Sequence, residues 1–234
     1  MPPIYETPAW LARQSALIGD NACALLAQKT VMLIGLGGVG GHALEALTRT
    51  GIQRLIVIDN DTVSETNRNR QLLATVETIG QYKTDAAKTR VHQIAPEIEV
   101  ISLAVRITPE TIPALLETYR PHAIVDAIDD VKAKEALAVA AQAKHIYLVS
   151  AMGTGNKLHP ERLMLGDISK TAYCPLAKAV RTALRREGVL HLPVVWSDEP
   201  PAKIGSPVPA SVSFVPGAAG MLLASAVINH FLAE

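Results

Sequence analysis

The run Gly35, Leu36, Gly37, Gly38, Val39, Gly40 has the composition of a phosphate cradle. Glycines let a ligand approach the backbone, and unsatisfied N–H groups at a helix N-terminus attract an anion. Asp59 and Asp61 follow about 20 residues on, where an acid can accept hydrogen bonds from ribose hydroxyls. Up to this point a nicotinamide cofactor fits as well as an adenine nucleotide. Arg70 and Lys83 separate the two readings. Two cations at one cleft suit a polyphosphate with a transferring centre, whereas hydride transfer does not need them. Asp129 adds a carboxylate that could hold Mg²⁺ beside phosphates. The set points to ATP with Mg²⁺. Plainer roles stay open for each residue. Arg70 and Lys83 could be solvated charges, and Asp129 could cap the helix after it.

These residues can meet only if strands and helices deliver them to one edge. Residues 30–35, TVMLIG, are a continuous apolar run ending in glycine, the pattern of a strand buried on both faces. Residues 41–50 read as a helix stopped by Gly51, and RLIVIDND as a second strand ending in acids. Further helices are predicted over residues 10–28, 83–94, 109–119 (with Pro109 in its first turn) and 131–143. EVISLAV, HAIVDAID and HIYLVSA supply three more strands. Strand and helix alternate, so the expected fold is α/β and Rossmann-like. Its central sheet is mostly parallel, with helices on both faces.

The rhythm breaks after residue 153. Residues 173–187 read as an amphipathic helix with a basic face of Lys178, Arg181, Arg185 and Arg186. Residues 188–210 are proline-rich and read as a long functional loop. Residues 208–232 read as a buried strand followed by a core helix, a C-terminal extension returning to the sheet.

Composition narrows the function classes. About half of the residues, 49%, are apolar, so a full core can form. Lys plus Arg and Asp plus Glu both number 22, so no overall basic footprint argues for nucleic acid, although a local basic face remains allowed. Cys23 and Cys174 are the only cysteines, which excludes a zinc site built on Cys-x-x-Cys pairs. Residues 1–14 lack a secretory pattern, and Pro209, Pro216, Asn229 and His230 interrupt the most apolar stretch. The expectation is a cytoplasmic protein without a membrane span.

On these motifs the chain resembles the ubiquitin-activating-enzyme-like superfamily of ATP-dependent adenylating enzymes, the ThiF-like group. The resemblance runs over residues 10–150 through Arg13, Gln14, Leu17 and Gly19, the glycine run, DNDTVSETNRNRQ, GQYKTDAAKTRVHQIAP and VDAIDD. It implies that Gly35, Gly37, Gly38, Gly40, Asp59, Asp61, Asn67, Arg70, Lys83 and Asp129 bind ATP, with Asp129 on Mg²⁺. It further implies that Arg13 reaches into the ATP site of a second subunit, and hence a homodimer. Residues 1–234 would form one adenylating domain, with 10–150 as nucleotide core and 151–234 as a substrate and dimer extension.

Two departures bear on the substrate. The usual Ser-Asn-Leu reads Thr66, Asn67, Arg68, and the paired cysteines of the sulfur-carrier activators are missing. The stretches SAMGTGNKLHPERLMLGDISKTAYCPLAKAVRTALRREGV, VVWSDEPP and SVSFVPGAAGMLLASAVI resemble instead the branch that dehydrates threonylcarbamoyladenosine in tRNA. This implies tRNA carrying that nucleoside as partner and substrate. Activation of a ubiquitin-like sulfur carrier is the alternative, and a sulfur-transfer protein is a further partner left open. Cys174 could be a reacting thiol or a helix start, Trp196 a base-stacking ring or a loop anchor, and the basic helix a phosphate contact or a solvated face. The segment MGTGNK could offer carbonyls to a monovalent cation or be a plain turn.

Overall fold

The computed structural model of the chain describes residues 6–206 and 208–234. Residues 1–5, part of the N-terminal reading and of the one-domain span, lie outside the described residues, as does Pro207. A seven-stranded sheet forms the centre, in the order β3-β2-β1-β4-β5-β7-β6. The strands are β1 (Thr30–Ile34), β2 (Arg54–Ile58), β3 (Glu99–Leu103), β4 (Ala123–Asp126), β5 (Tyr147–Ala151), β6 (Leu163–Asp167) and β7 (Pro193–Ser197). All neighbours are parallel except β6, which runs antiparallel to β7 at the edge.

Both faces are covered, which is why the central strands read as unbroken apolar runs. The helices are α1 (Ala12–Ile18), α2 (Asp20–Ala27), α3 (Gly40–Arg49), α4 (Lys83–Ile94), α5 (Ile112–Tyr119), α6 (Val131–Ala143), α7 (Pro175–Arg186) and α8 (Phe214–Leu232). Val31 and Leu33 of β1 face a core built with Leu44, Val91 and Leu223 of α3, α4 and α8. Met32 and Ile34 face the opposite core, with Leu116, Leu137 and Val180 of α5, α6 and α7.

Several expectations change. The helix read over residues 10–28 is broken at Gly19, whose φ of +85 no helix accepts, into a short 3-10 turn, α1 and α2. The fifth helix starts at Ile112, not at residue 109. Thr108 and Thr111 close a turn through the Thr111 hydroxyl, and Pro113 is the proline of the first turn. The seventh begins at Pro175, because Cys174 is its N-cap. The loop read over 188–210 contains β7, an inner strand of the sheet. The strand expected after residue 208 is absent: residues 208–213 are irregular and lead into α8. By length and mean hydropathy, 1.5, α8 could cross a bilayer, yet Val215, Ala219, Leu223, Val227 and Phe231 are core residues.

Candidate active site

In open α/β sheets a ligand crevice forms outside the carboxyl ends of the strands where the strand order reverses. Here that point lies between β1, which leads into the glycine run, and β4, which leads to Asp129. The turn between β1 and α3 is tight. Gly35 adopts φ +89 and donates its N–H to the Ile58 carbonyl at 2.8 Å. A side chain at Gly40 would collide with the Gly35 carbonyl oxygen at 1.8 Å, so glycine is required there. Among the described residues, the N–H groups of Gly37, Gly38, Val39 and Gly40 meet no acceptor. Together with the N-terminal dipole of α3 they form an anion cradle. His42 holds the Gly38 carbonyl at 2.8 Å. On its far side Gly38 backs onto Pro216 of α8, 3.2 Å from an added Cβ.

The second strand delivers the acids. Asp59 accepts the Leu36 N–H at 2.7 Å and the Asp61 N–H at 2.9 Å, which ties the acid to the loop and leaves lone pairs open. Lys83 is 5% exposed, its ammonium 2.7 Å from Asp61 and 3.9 Å from Asp59. It is therefore no solvated surface charge. A backbone bridge between Thr62 and Tyr82 brings the two segments together. The Arg70 guanidinium is braced by the Thr66 carbonyl and the Asn69 amide oxygen, both at 2.9 Å, and its remaining N–H groups are free to bind. The Arg70 carbonyl packs against Gly38, so Arg70 adjoins the cradle. Asn67 uses its side-chain oxygen on the Ser64 N–H at 3.1 Å, capping a short turn and keeping its amide NH₂.

Asp129 is exposed and accepts no hydrogen bond among the described residues. The helix cap is its neighbour Asp130, which accepts the Ala133 N–H at 2.9 Å. A free carboxylate beside a phosphate cradle suits Mg²⁺, which takes one or two carboxylates and fills its shell with phosphate and water. No group of three or more His, Cys, Asp or Glu gathers as a metal cage among the described residues. Arg13 is not part of this assembly. It is exposed on α1, and the neighbouring Gln14 bonds to Thr50 at the far end of α3, about 15 Å from the cradle by helix length.

Sequence reasoning missed the frame beneath the site. Lys134 on α6 is fully buried and donates to Asp126 and Ser150 at 2.9 Å and to the Ala151 carbonyl at 2.8 Å. Ser150 in turn donates to Asp126 at 2.6 Å. This knot joins the ends of β4 and β5 and fixes the turn that carries Asp129. A lysine on the alanine-rich helix, eight residues after an acid, is its only trace in the sequence.

The extension closes the same edge. Asn156 fixes residues 202 and 210, and Asn69 donates to the Ser211 carbonyl at 2.9 Å, so a strap runs from β7 to α8 beside Arg70. In the segment MGTGNK, Lys157 is buried with its ammonium on the carbonyls of Ser197 and Glu199. Burial lowers its pKa. Cys174 is buried and accepts from Gly153 and Ala177, which fits the helix start and not a reacting thiol. Trp196 is 6% exposed against Gly166, an anchor and not a stacking ring.

The model of the ThiF family matches residues 11–233. A tRNA threonylcarbamoyladenosine dehydratase of Bacillus subtilis is 38% identical over 95% of this chain and 94% of its own length. The crystal structure of the E. coli tRNA N6-threonylcarbamoyladenosine dehydratase with AMP superposes at a TM-score of 0.91 and 30% identity, covering 98% of both chains. The same E. coli protein with ATP gives 0.90 and 31% over the same spans. The E. coli sulfur carrier protein ThiS adenylyltransferase is 31% identical, over 57% of this chain and 53% of its own.

Proposed function

The chain belongs to the ThiF family, and from that premise we propose that it is an ATP-dependent enzyme that dehydrates threonylcarbamoyladenosine in tRNA. The observation that carries the reading is the match to dehydratases over nearly the full chain, extension included. The likeness to the sulfur-carrier adenylyltransferase stops at about half.

The threonyl carboxylate attacks the α-phosphate of ATP in line, and pyrophosphate leaves. The carbamoyl group of the same nucleoside then attacks the activated carbonyl, the ring closes and AMP departs. Intramolecular closure needs no protein nucleophile, consistent with two cysteines that are both buried. The N–H groups of Gly37, Gly38, Val39 and Gly40, with Gly35 shaping the turn, hold phosphate oxygens. Asp59 and Asp61 take the ribose and keep Lys83 aimed at the phosphates. Arg70, with the Asn67 amide beside it, neutralises charge at the transferring phosphorus.

Asp129 holds Mg²⁺, which supplies charge neutralisation on the phosphates. Arg13 completes the site of a second copy, since it cannot reach its own, and the working form is a homodimer in the cytoplasm. No sulfur-transfer partner is required. Lys157, the last residue of the segment MGTGNK, spends its ammonium on the carbonyls of Ser197 and Glu199, and no monovalent ion enters this reading.

The test incubates the protein with ATP, Mg²⁺ and tRNA bearing threonylcarbamoyladenosine, then weighs the nucleosides. The expected result is loss of one water mass from that nucleoside together with AMP release. An unchanged nucleoside, alongside adenylation of a carrier-protein C-terminus, would replace this reading with the alternative. Asp129→Ala is expected to abolish AMP release while leaving the melting temperature near wild type.

A further inference from the structure

The chain is formally neutral, yet its charge is unevenly spread. Residues 168–186 hold Lys170, Lys178, Arg181, Arg185 and Arg186 and no acid at all. Several cations elsewhere are paired, as Arg49 and Arg90 with Glu45, Arg54 with Glu99, and Arg120 and Lys144 with Glu117. Among the described residues, Lys170, Lys178, Arg185 and Arg186 have no acidic partner. Ala177, Val180 and Leu184 are the buried stripe of α7. At 3.6 residues per turn, Lys178, Thr182, Arg185 and Arg186 fall on the opposite side, and all four are exposed. Arg181, at the boundary, donates to the Ile168 and Thr171 carbonyls and braces the preceding turn.

The position of this face matters as much as its charge. The first turn of α7 is tied to the end of β5 by the bond from Gly153 to Cys174, 3.3 Å. Its neighbour α6 starts directly after Asp129 and Asp130 at the same edge, and the two helices pack side by side. The helix therefore starts at the edge of the sheet that carries the candidate active site, and its basic stripe runs about 12 Å away from that edge.

At its head stands Tyr173, 64% exposed with φ +52. A bulky residue held in the left-handed region is strained, and its ring is not buried against a core that would offset the strain. With Lys178 and Arg181 it lines a surface hollow of about 440 Å³. Proteins that bind single-stranded RNA combine aromatic rings that stack on bases with cations that follow the backbone. A merely solvated face calls for neither the ring nor the missing acids.

We infer that the exposed face of α7, headed by Tyr173, is the surface on which the tRNA anticodon arm docks. Lys178, Arg185 and Arg186 take its phosphates and Tyr173 stacks on an unpaired base. This rests on the proposed reaction and adds to it the place where the RNA lies.

The test measures binding of an anticodon stem-loop RNA carrying threonylcarbamoyladenosine over a series of salt concentrations. In the variant K178Q/R185Q/R186Q, Kd is expected to rise tenfold or more, and the slope of log affinity against log salt to become shallower by about two. KM for tRNA rises in parallel, while kcat at saturating tRNA and the affinity for ATP stay near wild type. The control R120Q/K144Q, which removes paired cations, leaves RNA binding unchanged. Tyr173→Gly is expected to weaken binding several-fold with an unchanged or raised melting temperature. A packing role for the ring would lower that temperature. Wild-type slope and Kd in the triple variant would return α7 to a solvated face. Should that variant misfold, Arg185→Gln alone reads the same question, with a slope change of about 0.8 as support and none as refutation. Binding needs no turnover, so the two readings fail separately. RNA held through α7 without cyclisation would remove the reaction and keep the surface. Cyclisation untouched by the triple variant would do the reverse.

Discussion

Two buried lysines, each paired with aspartate, lie near the carboxyl edge of the sheet, and they are built to opposite ends. Lys134 is fully buried, and its three ammonium donors are matched by Asp126, Ser150 and the Ala151 carbonyl. Asp126 also receives Ser150 at 2.6 Å and the Ile128 N–H at 3.2 Å. Lys83, 5% exposed, has one short partner in Asp61, whose side chain is 59% exposed, and a longer one in Asp59 at 3.9 Å. The first pair is closed and holds the frame. The second is open, with donor and acceptor capacity left uncommitted within the chain. The same two residue types thus make a closed or an open pair according to how many of their bonds are completed inside.

The contrast can be broken at its closed end first. Lys134→Met leaves Asp126 buried without its cation and is expected to cost about 3–5 kcal/mol in urea unfolding. The double variant K134M/D126L should recover most of that loss, because a buried pair exchanged for apolar side chains is often near neutral. A single variant that loses under about 1 kcal/mol would show that the pair does not hold the frame.

Lys83→Ala tests the open end, where the loss should fall on rate. AMP release is expected to drop about 10²–10³-fold, with a small change in stability. A stability loss as large as that of Lys134→Met, with turnover retained, would erase the distinction. Next, Arg13→Ala sharpens it by asking whether the open site is finished by a second chain. About 10²-fold loss of rate is expected, with activity returning when this protein is mixed with Asp129→Ala protein. Wild-type turnover in Arg13→Ala would place Arg13 outside catalysis, and failure of the mixture to recover would deny the shared site.

Glu45 is intermediate, a nearly buried carboxylate shared by Arg90 at 2.8 Å and the more exposed Arg49 at 2.7 Å. Burial alone would raise its pKa, but the two guanidinium groups outweigh it and the net shift is downward. A carboxyl with a lowered folded-state pKa stabilises the fold fully above its unfolded value, about 4.3, and ceases to as pH falls through the folded value. Glu45→Gln is therefore expected to cost about 1–3 kcal/mol at pH 7 and to flatten the stability curve below pH 4.5, followed by denaturant titration. Parallel curves for the two proteins would contradict the linkage.

What the sequence disclosed follows the reach of each interaction. β1, β2, β4 and β5 were legible because a strand covered on both faces carries its whole signal locally. The bounds of α4 and α6 were legible too, since Pro96 ends one pattern and acids open the other. The last two strands were not. β6 is an edge strand whose residues are only half buried or exposed, and β7 starts on Pro193 within a proline-rich run. Proline is admissible at the first position of a strand, but nothing local announces it. In the site, the glycine run and Asp59 were legible as neighbours of predicted strand ends. The Lys134 knot was not, because its partners lie on two other strands. The assignment of the helix cap to Asp130, leaving Asp129 free, turned on one residue of register that composition does not resolve.

The close approach of α8 to the glycine run has a consequence for synthesis. Gly38 backs onto Pro216, and a side chain at Gly220 would stand 2.3 Å from the Val39 carbonyl oxygen. The cradle near the start of the chain is walled by a helix made almost two hundred residues later. A nascent chain that has left the ribosome only to residue 213 carries the glycine sequence without its wall. Synthesis and the cradle are therefore coupled in order: the glycine run lacks the helix that backs it until the last segment of the chain has been made.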